Sequence, residues 1–202
     1  NTNFAAINPR EGDTLTVFRL CADVGILDPT QADDLEYFRA WCRWERANIQ
    51  TVLATIRAVL NRGPQTAIIV RPHPSENLKP WVRAAAPVAG VDIRREGDHL
   101  AWTLGSELLV QASCTTGLEA FLLDHPVISL TPGEDPWHEF FAVNHCTSRV
   151  DSAGQAAEAV ARVISGDRSG LAERANALKR LRPHLLIDGK STATRRTIDA
   201  LT

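Results

Sequence analysis

Ser113-Cys114-Thr115-Thr116-Gly117-Leu118-Glu119 joins a predicted strand to a predicted helix, and the rest of the fold can be worked out from it. Before it, residues 107–112 form an apolar run that is typical of a buried strand. After it, residues 120–123 form the body of a short helix and residues 126–130 the next predicted strand. A strand, a turn rich in small hydroxyl side chains, a helix and a strand make one βαβ unit.

The turn in this unit is predicted to bind an anion. It lies at the carboxyl end of its strand, where parallel sheets bind ligands, and it opens a helix whose free N–H groups and positive dipole end suit a phosphate. Thr115 and Thr116 can add hydroxyl donors, and Gly117 lets a ligand come close to the backbone. The alternative is that Ser113 or Thr115 simply caps the helix.

A second anion-binding turn is predicted after the apolar run 66–70, which reads as a central strand. That run leads into Arg71-Pro72-His73-Pro74-Ser75-Glu76-Asn77, where two prolines fix the backbone around His73. A rigid histidine beside Arg71 suits phosphate contacts or proton donation to a leaving phosphate. The alternative is that His73 only ties the loop together. Ser75 or Asn77 is expected to cap the following helix.

The rest of the chain alternates helices and strands. Apolar residues at helical spacing predict one long helix over 33–61, with Trp41 and Trp44 packed beside it, whereas residues 14–20 fit a strand or a helix equally well. The remaining predicted elements are helices over 78–86 and 98–104, strands over 91–95 and 144–150, and terminal helices over 152–164, 171–181 and 192–201. This alternation indicates an α/β fold with a doubly wound parallel sheet flanked by helices, in a single domain over 1–202 whose terminal helices begin at about residue 152.

Composition narrows the classes of function. The chain has 202 residues, 44% of them hydrophobic, which is enough for one good core, and its net charge of −2 gives no support for nucleic-acid binding. No apolar run approaches the length of a membrane span, and no signal peptide is visible. The four cysteines are scattered without metal-ligand spacing, which predicts reduced thiols in a cytoplasmic protein. The sequence also lacks the G-x-G-x-x-G, P-loop and G-x-S-x-G motifs.

The pair of motifs at 71–76 and 113–121 resembles the C-terminal half of a GT-B glycosyltransferase. It is more narrowly similar to bacterial surface carbohydrate biosynthesis proteins, near the capsule and lipopolysaccharide transferases of the Kdo and sialyl type. Asn1-Thr2-Asn3-Phe4 is also similar to the start of this domain, and it reads as the end of a strand running into a loop. The resemblance implies a Rossmann-like domain that binds a nucleotide-sugar, with a CMP-linked donor favoured, for transfer to a surface polysaccharide or a lipid-linked acceptor.

The resemblance also implies roles for individual residues. His73 would contact the donor phosphate, Thr115 and Thr116 would bind the same phosphate, and Glu119 would hold the ribose hydroxyls; the alternative for Glu119 is an ordinary first-turn acid. The pair is Thr-Thr after Cys114 rather than Ser-Ser, and Cys114 itself is predicted to be buried. No metal or other cofactor is implied, since no Asp-x-Asp motif is present. The predicted nucleotide- and phosphate-binding residues are Arg71, His73, Ser113, Thr115, Thr116, Gly117 and Glu119.

No catalytic base is predicted, because in the GT-B architecture it comes largely from the N-terminal domain. Two other functions stay open: a non-catalytic nucleotide- or sugar-binding module that acts through a partner chain, and a sugar-nucleotide epimerase. Peripheral membrane association through regions outside this sequence is also left open. The loop at 131–138 follows a strand and is a candidate contact for the sugar or base, whereas Arg94, Arg95 and His99 are predicted to be surface residues without a role.

Overall fold

A computed structural model describes residues 1–182 of the chain. The helices and strands in it, in chain order, are α1 (Thr14–Asp23), α2 (Ala32–Arg62), β1 (Ile68–Val70), α3 (Leu78–Ala85), β2 (Val91–Ile93), α4 (His99–Leu104), β3 (Leu109–Gln111), α5 (Thr115–Leu122), β4 (Val127–Leu130), two short 3-10 helices (Pro136–Phe140 and Ala142–His145), β5 (Ser148–Val150), α6 (Ala153–Ile164) and α7 (Arg174–Leu181). The mixed α/β composition agrees with the alternation read from the sequence.

The strands form two small parallel sheets. In the first, β1 pairs with β2, with Ile68 opposite Val91. In the second, β3, β4 and β5 lie side by side in that order, with Leu109 opposite Val127. Within each sheet the strands are parallel, so their carboxyl ends share one side. Val70, Ala112 and Leu130, at or just past the ends of β1, β3 and β4, pack in one cluster, and we call this side of the two sheets the carboxyl edge.

Residues 1–4 connect the two sheets. The backbone N–H of Thr2 donates to the carbonyl of Arg71, just past β1, over 3.3 Å, and the amino group of Asn1 donates to the carbonyl of Val110 in β3 over 2.8 Å. The first two residues therefore contact both small parallel sheets, and the arrangement of these sheets with flanking helices is compatible with a Rossmann-like fold. Where the sequence predicts one doubly wound parallel sheet, the described strands form one sheet of two strands and another of three.

Helix α2 has 31 residues and, at 1.5 Å per residue, a length of about 46 Å, far longer than any strand. Its C-terminal half packs with α6 against the sheets, where Val59 meets Ala157 and Val160. Near its middle, Glu45 accepts a hydrogen bond from the N–H of Ile7, just beyond the carboxyl edge. The N-terminal half of α2 therefore extends past the carboxyl edge.

Helix α1 resolves the ambiguous segment at 14–20. Asp13 accepts a hydrogen bond from the N–H of Thr16 over 2.8 Å, and the Thr16 hydroxyl accepts one from the N–H of Asp13 over 3.2 Å. This capping box fixes a helix start, and the helix then buries Cys21 against Phe38 of α2. The weak alternation of apolar and polar residues at 14–20 also fits a strand, but the capping box stabilises a helix there.

The predicted helices and strands within the described residues are present, with ends that move by a few residues. The largest change is at 144–150, where only β5 is a strand and the preceding residues form a 3-10 helix. The predicted helix over 192–201 and the last part of the terminal helical region lie outside the described residues. None of the helices described is both long enough and apolar enough to cross a membrane.

Candidate anion-binding site

The two turns predicted separately to bind an anion are neighbours in the structure. We call residues 71–77 the His73 turn and residues 112–116 the α5 turn. The side chain of Asn1 donates to the hydroxyl of Thr116 over 2.8 Å, and the next residue, Thr2, is hydrogen-bonded to the carbonyl of Arg71. Residues 1–2 therefore stand between the turns and contact both of them at the carboxyl edge.

The α5 turn leaves the start of its helix uncapped. Cys114 occupies the capping position, is buried as predicted, and makes no side-chain hydrogen bond to the first turn. Thr115 is exposed, and its hydroxyl is hydrogen-bonded to no other described residue. The Thr116 hydroxyl donates to the sulfur of Cys114 over 3.2 Å. Helix capping by Ser113 or Thr115 is therefore absent, and the first N–H groups of α5 are open to water or a ligand.

Ser113 and Gly117 pack on the buried side of the α5 turn. Ser113 has a φ of +57°, is 2% exposed, and its hydroxyl accepts a hydrogen bond from the side chain of Asn144 over 2.9 Å. A Cβ placed on Gly117 would lie 2.7 Å from Cγ of Gln111 and 2.8 Å from Cγ2 of Val143. Both residues therefore pack under the turn, and the phosphate contact of Ser113 and the ligand access at Gly117 stay predictions.

The His73 turn presents one imidazole nitrogen outward. The ring Nδ1 accepts from the N–H of Ser75 over 3.2 Å and lies 2.5 Å from the Ser75 hydroxyl. With Nδ1 as the acceptor, the neutral ring carries its proton on Nε2, a tautomer assigned from this bonding pattern. His73 is exposed, so this N–H can reach a ligand. Of the two candidate caps for α3, the structure selects Asn77, which accepts from the N–H of Lys79.

A buried carboxylate that the sequence analysis did not single out holds the His73 turn. Glu76 is fully buried, and one of its oxygens accepts from the N–H of His73 over 3.0 Å and from the hydroxyl of Thr2 over 2.6 Å. Its other oxygen accepts from the indole N–H of Trp81 over 3.0 Å. Glu76 stands three residues after His73 in the sequence, but its role depends on Thr2 and Trp81, which only the fold brings to it.

Two arginines tie the His73 turn to the loop after β2. The Arg71 guanidinium lies 5.8 Å above the ring of Trp102, and burial lowers its pKa while Glu96 and Asp98 oppose that shift. Arg95 is half-buried and donates to the carbonyls of His73 and Glu76, so its prediction as a surface residue without a role is wrong. Three of the Arg71 N–H groups donate to backbone carbonyls, those of Arg95 (3.2 Å), Glu96 (2.9 Å) and Gly97 (3.1 Å). Arg71 therefore builds this part of the carboxyl edge, and its contact with an anion stays a prediction.

Glu119 lies one turn into α5 and is paired with a residue of α4. Its Oε2 lies 2.5 Å from Nε2 of His99, and Nδ1 of His99 lies 3.5 Å from Asp98. His99 is partly exposed at the surface, as predicted, and in addition it is the partner of a predicted site residue. The second oxygen of Glu119 has no partner among the described residues, so it remains able to accept hydrogen bonds from hydroxyl groups.

The loop after β4 packs against α2. Its 3-10 helix brings Trp137 to within 6.1 Å of Trp44 and 6.4 Å of Trp41, ring centroid to ring centroid, so both α2 tryptophans are packed as predicted. The side chain of Asn144 donates to the carbonyl of the buried His138 over 2.8 Å as well as to Ser113. Asn144 therefore connects this loop to the buried side of the α5 turn.

No protein-family model, curated protein or solved structure matches this chain. Among residues 1–182, no three histidine, cysteine or acidic side chains are grouped so that they could hold a metal ion. A functional assignment therefore rests on the geometry and chemistry of the two turns.

Proposed function

We propose that this chain is the donor-binding domain of a glycosyltransferase and that it binds a nucleotide-sugar at the carboxyl edge. One observation carries the proposal: the start of α5 has no side-chain cap, and it lies beside the turn that presents His73 outward. An uncapped helix start supplies N–H donors and a positive dipole end, which favour a phosphate. Helices α1, α3, α4 and α6 have side-chain caps, whereas α2 and α7 start without one, as α5 does. What supports a site at α5 is therefore the uncapped start together with its place beside the His73 turn.

In the proposed reaction, the acceptor's hydroxyl oxygen bonds to the sugar's anomeric carbon and gives its proton to a base, which the GT-B resemblance assigns to the N-terminal domain. At the same time the bond between the anomeric carbon and a phosphate oxygen breaks, and the nucleotide leaves as an anion. The N–H groups of Thr115 and Thr116, the Thr115 hydroxyl and the Nε2–H of His73 would stabilise the negative charge that develops on that phosphate. The unpartnered oxygen of Glu119 would accept from the ribose hydroxyls. The acceptor would be a surface polysaccharide or a lipid-linked glycan, and the resemblance of these motifs to Kdo- and sialyl-type transferases favours a CMP-linked donor.

Calorimetric titration with CMP, UDP and GDP tests the binding step. We expect CMP to bind most tightly, and His73→Ala and Thr115→Val to weaken binding at least tenfold, since a hydrogen bond to a charged group contributes roughly 1.5–3 kcal/mol. Thr115 is a sharper target than Thr116, whose hydroxyl already bonds Asn1 and Cys114.

The chain contains a matched control for each variant. His125 also precedes a proline, but it lies before β4, at the opposite side of the sheet from the carboxyl edge. Thr14 is also the first residue of a helix, but Asp13 caps that helix. His125→Ala and Thr14→Val should leave nucleotide affinity unchanged. The proposal fails if folded wild-type protein binds none of the three nucleotides, or if His73→Ala and Thr115→Val bind as tightly as the controls.

A further inference from the structure

An aromatic-walled cleft lies on the same side of the molecule as the proposed nucleotide site. The loop after β4 packs against the N-terminal half of α2 and borders an open surface depression of about 620 Å³. Its aromatic walls come from Tyr37 and Trp44 of α2 and from Trp137 and Phe140 of the 3-10 helix. We call it the aromatic cleft.

Trp137 lies at the centre of these rings. Its ring centroid is 4.8 Å from that of Tyr37, 6.1 Å from that of Trp44 and 5.7 Å from that of Phe140. Although they pack together, two of the rings remain open to solvent: Phe140 is 72% exposed and Tyr37 is 48% exposed. Both exposed rings contact Trp137, and a group of exposed aromatic side chains, unlike scattered single apolar residues, is typical of interaction sites.

Hydrogen bonds on the buried side of the loop hold Trp137 and Phe140 in place. The side chain of Asp135 accepts from the N–H of Trp137 over 3.0 Å and caps the 3-10 helix. The indole N–H of Trp44 lies 3.4 Å from Nδ1 of His138, whose ring is fully buried. The ring faces are therefore held in place before a ligand arrives, which reduces the entropy lost on binding.

The charges around the cleft select the class of ligand. Arg43 supplies the cation among the lining residues, and its guanidinium is already paired with Glu36 over 2.6 Å. Asp135 adds a carboxylate to the same wall. Arg43 and Asp135 balance each other in charge among the described residues that line the cleft, so a nucleic acid or another polyanion gains little there and is repelled by Asp135.

We propose that the aromatic cleft binds an uncharged oligosaccharide. The C–H faces of a pyranose ring carry a small positive charge and are attracted to the negative faces of aromatic rings, here those of Tyr37 and Phe140. The sugar hydroxyls would bond Asp135 and Arg43, a carboxylate and a guanidinium that can accept and donate respectively. This site shares no residue with the proposed nucleotide site, so the inference goes beyond the proposed function. The two sites are linked through Asn144, which bonds both His138 and Ser113.

Calorimetry and tryptophan fluorescence with maltoheptaose, cellohexaose and chitohexaose test this inference. We expect at least one of these uncharged oligosaccharides to bind and to change the emission of the cleft tryptophans. Phe140→Ala and Tyr37→Ala should each weaken that binding at least fivefold. Ile164→Ala removes a side chain of α6 that is 49% exposed and lies outside the cleft, so it should leave the affinity unchanged.

The variants also separate this inference from the proposed function. His73→Ala should lose nucleotide binding and keep oligosaccharide binding, and Phe140→Ala should show the reverse. The inference is overturned if folded wild-type protein binds none of the three oligosaccharides, or if Phe140→Ala binds them as tightly as Ile164→Ala does. It is also overturned if the wild-type chain self-associates and Phe140→Ala abolishes the association, because the cleft would then be a contact between copies of the chain.

Discussion

At Gly117, the absence of a side chain makes room for two neighbours in the core. The position faces Gln111 and Val143, and Gln111 in turn accepts a hydrogen bond from the N–H of Cys114 over 2.5 Å. A side chain at 117 would push on the residue that supports the α5 turn. The glycine therefore protects the geometry of the proposed site indirectly, through packing.

Gly117→Ala should lower the free energy of unfolding by about 1–3 kcal/mol, the usual cost of overpacking a core. Gly154 is a suitable control, since it is also helical and a Cβ there would meet nothing within 4 Å. Gly154→Ala should be neutral or stabilise by up to about 1 kcal/mol, because alanine is the better helix former. Urea unfolding followed by circular dichroism measures both, and equal stabilities of the two variants would contradict the packing argument.

Among the elements, α2 combines a long solvent-facing surface with a buried carboxylate. Glu45 is 2% exposed, and burial raises its pKa to about 8, with Glu76 adding to the shift. The unfolded chain should release this proton near pH 4.3, the usual pKa of glutamate. Between these two pH values, the folded state holds a proton that the unfolded state has lost. Stability should therefore fall as pH rises through this window.

Comparison of wild type with Glu45→Gln tests the pH dependence of stability that we expect from the Glu45 carboxyl. Glutamine stays neutral and can still accept from the N–H of Ile7, so the variant should lack the pH-dependent loss. From pH 5 to pH 8, we expect the stability of wild type relative to Glu45→Gln to fall by roughly 4 kcal/mol, because one unit of pKa corresponds to about 1.36 kcal/mol. The measurement is the urea unfolding free energy at pH 5, 7 and 9. Glu107→Gln, at an exposed position, supplies the control; a parallel pH profile for all three proteins would disprove the argument.

At the scale of the whole molecule, residues 1–4 hold together the two parts of the sheet. Phe4 is fully buried and packs with Val70 of β1, Leu130 of β4 and Ala156 of α6, and its ring stacks on that of Trp81 with centroids 6.4 Å apart. One side chain from this short segment therefore touches elements on both sides of the division. The carboxyl edge, and with it the proposed nucleotide site, depends on this packing.

Phe4→Ala should therefore reduce the free energy of unfolding by about 3–5 kcal/mol, the cost of removing a buried phenylalanine. Phe140→Ala is the matched control, since the same substitution at a side chain that is 72% exposed should change stability by less than about 0.5 kcal/mol. Urea denaturation midpoints provide the comparison. If Phe4→Ala is as mild as Phe140→Ala, residues 1–4 do not join the two sheets.

The local order of helices and strands was predictable because it depends on near neighbours in the chain. The apolar stripe along 33–61 corresponds to α2, and the short apolar runs correspond to strands, since amphipathic spacing and β-branched content act over a few residues. Parallel pairing then places the ends of β1 and β3 on one edge, which is why the His73 turn and the α5 turn could be predicted at the same side.

The environment of each side chain was decided by contacts between residues far apart in the sequence. Thr2 and Glu76 are 74 positions apart and share a hydrogen bond that fixes the His73 turn, and His99 meets Glu119 across 20 positions. Sequence pattern says which residue types follow a strand, but not which of them point into the core. For that reason the sequence was sufficient to identify the α5 turn. Only tertiary packing showed that Thr115 faces solvent, whereas Ser113 and Gly117 are buried and support the turn.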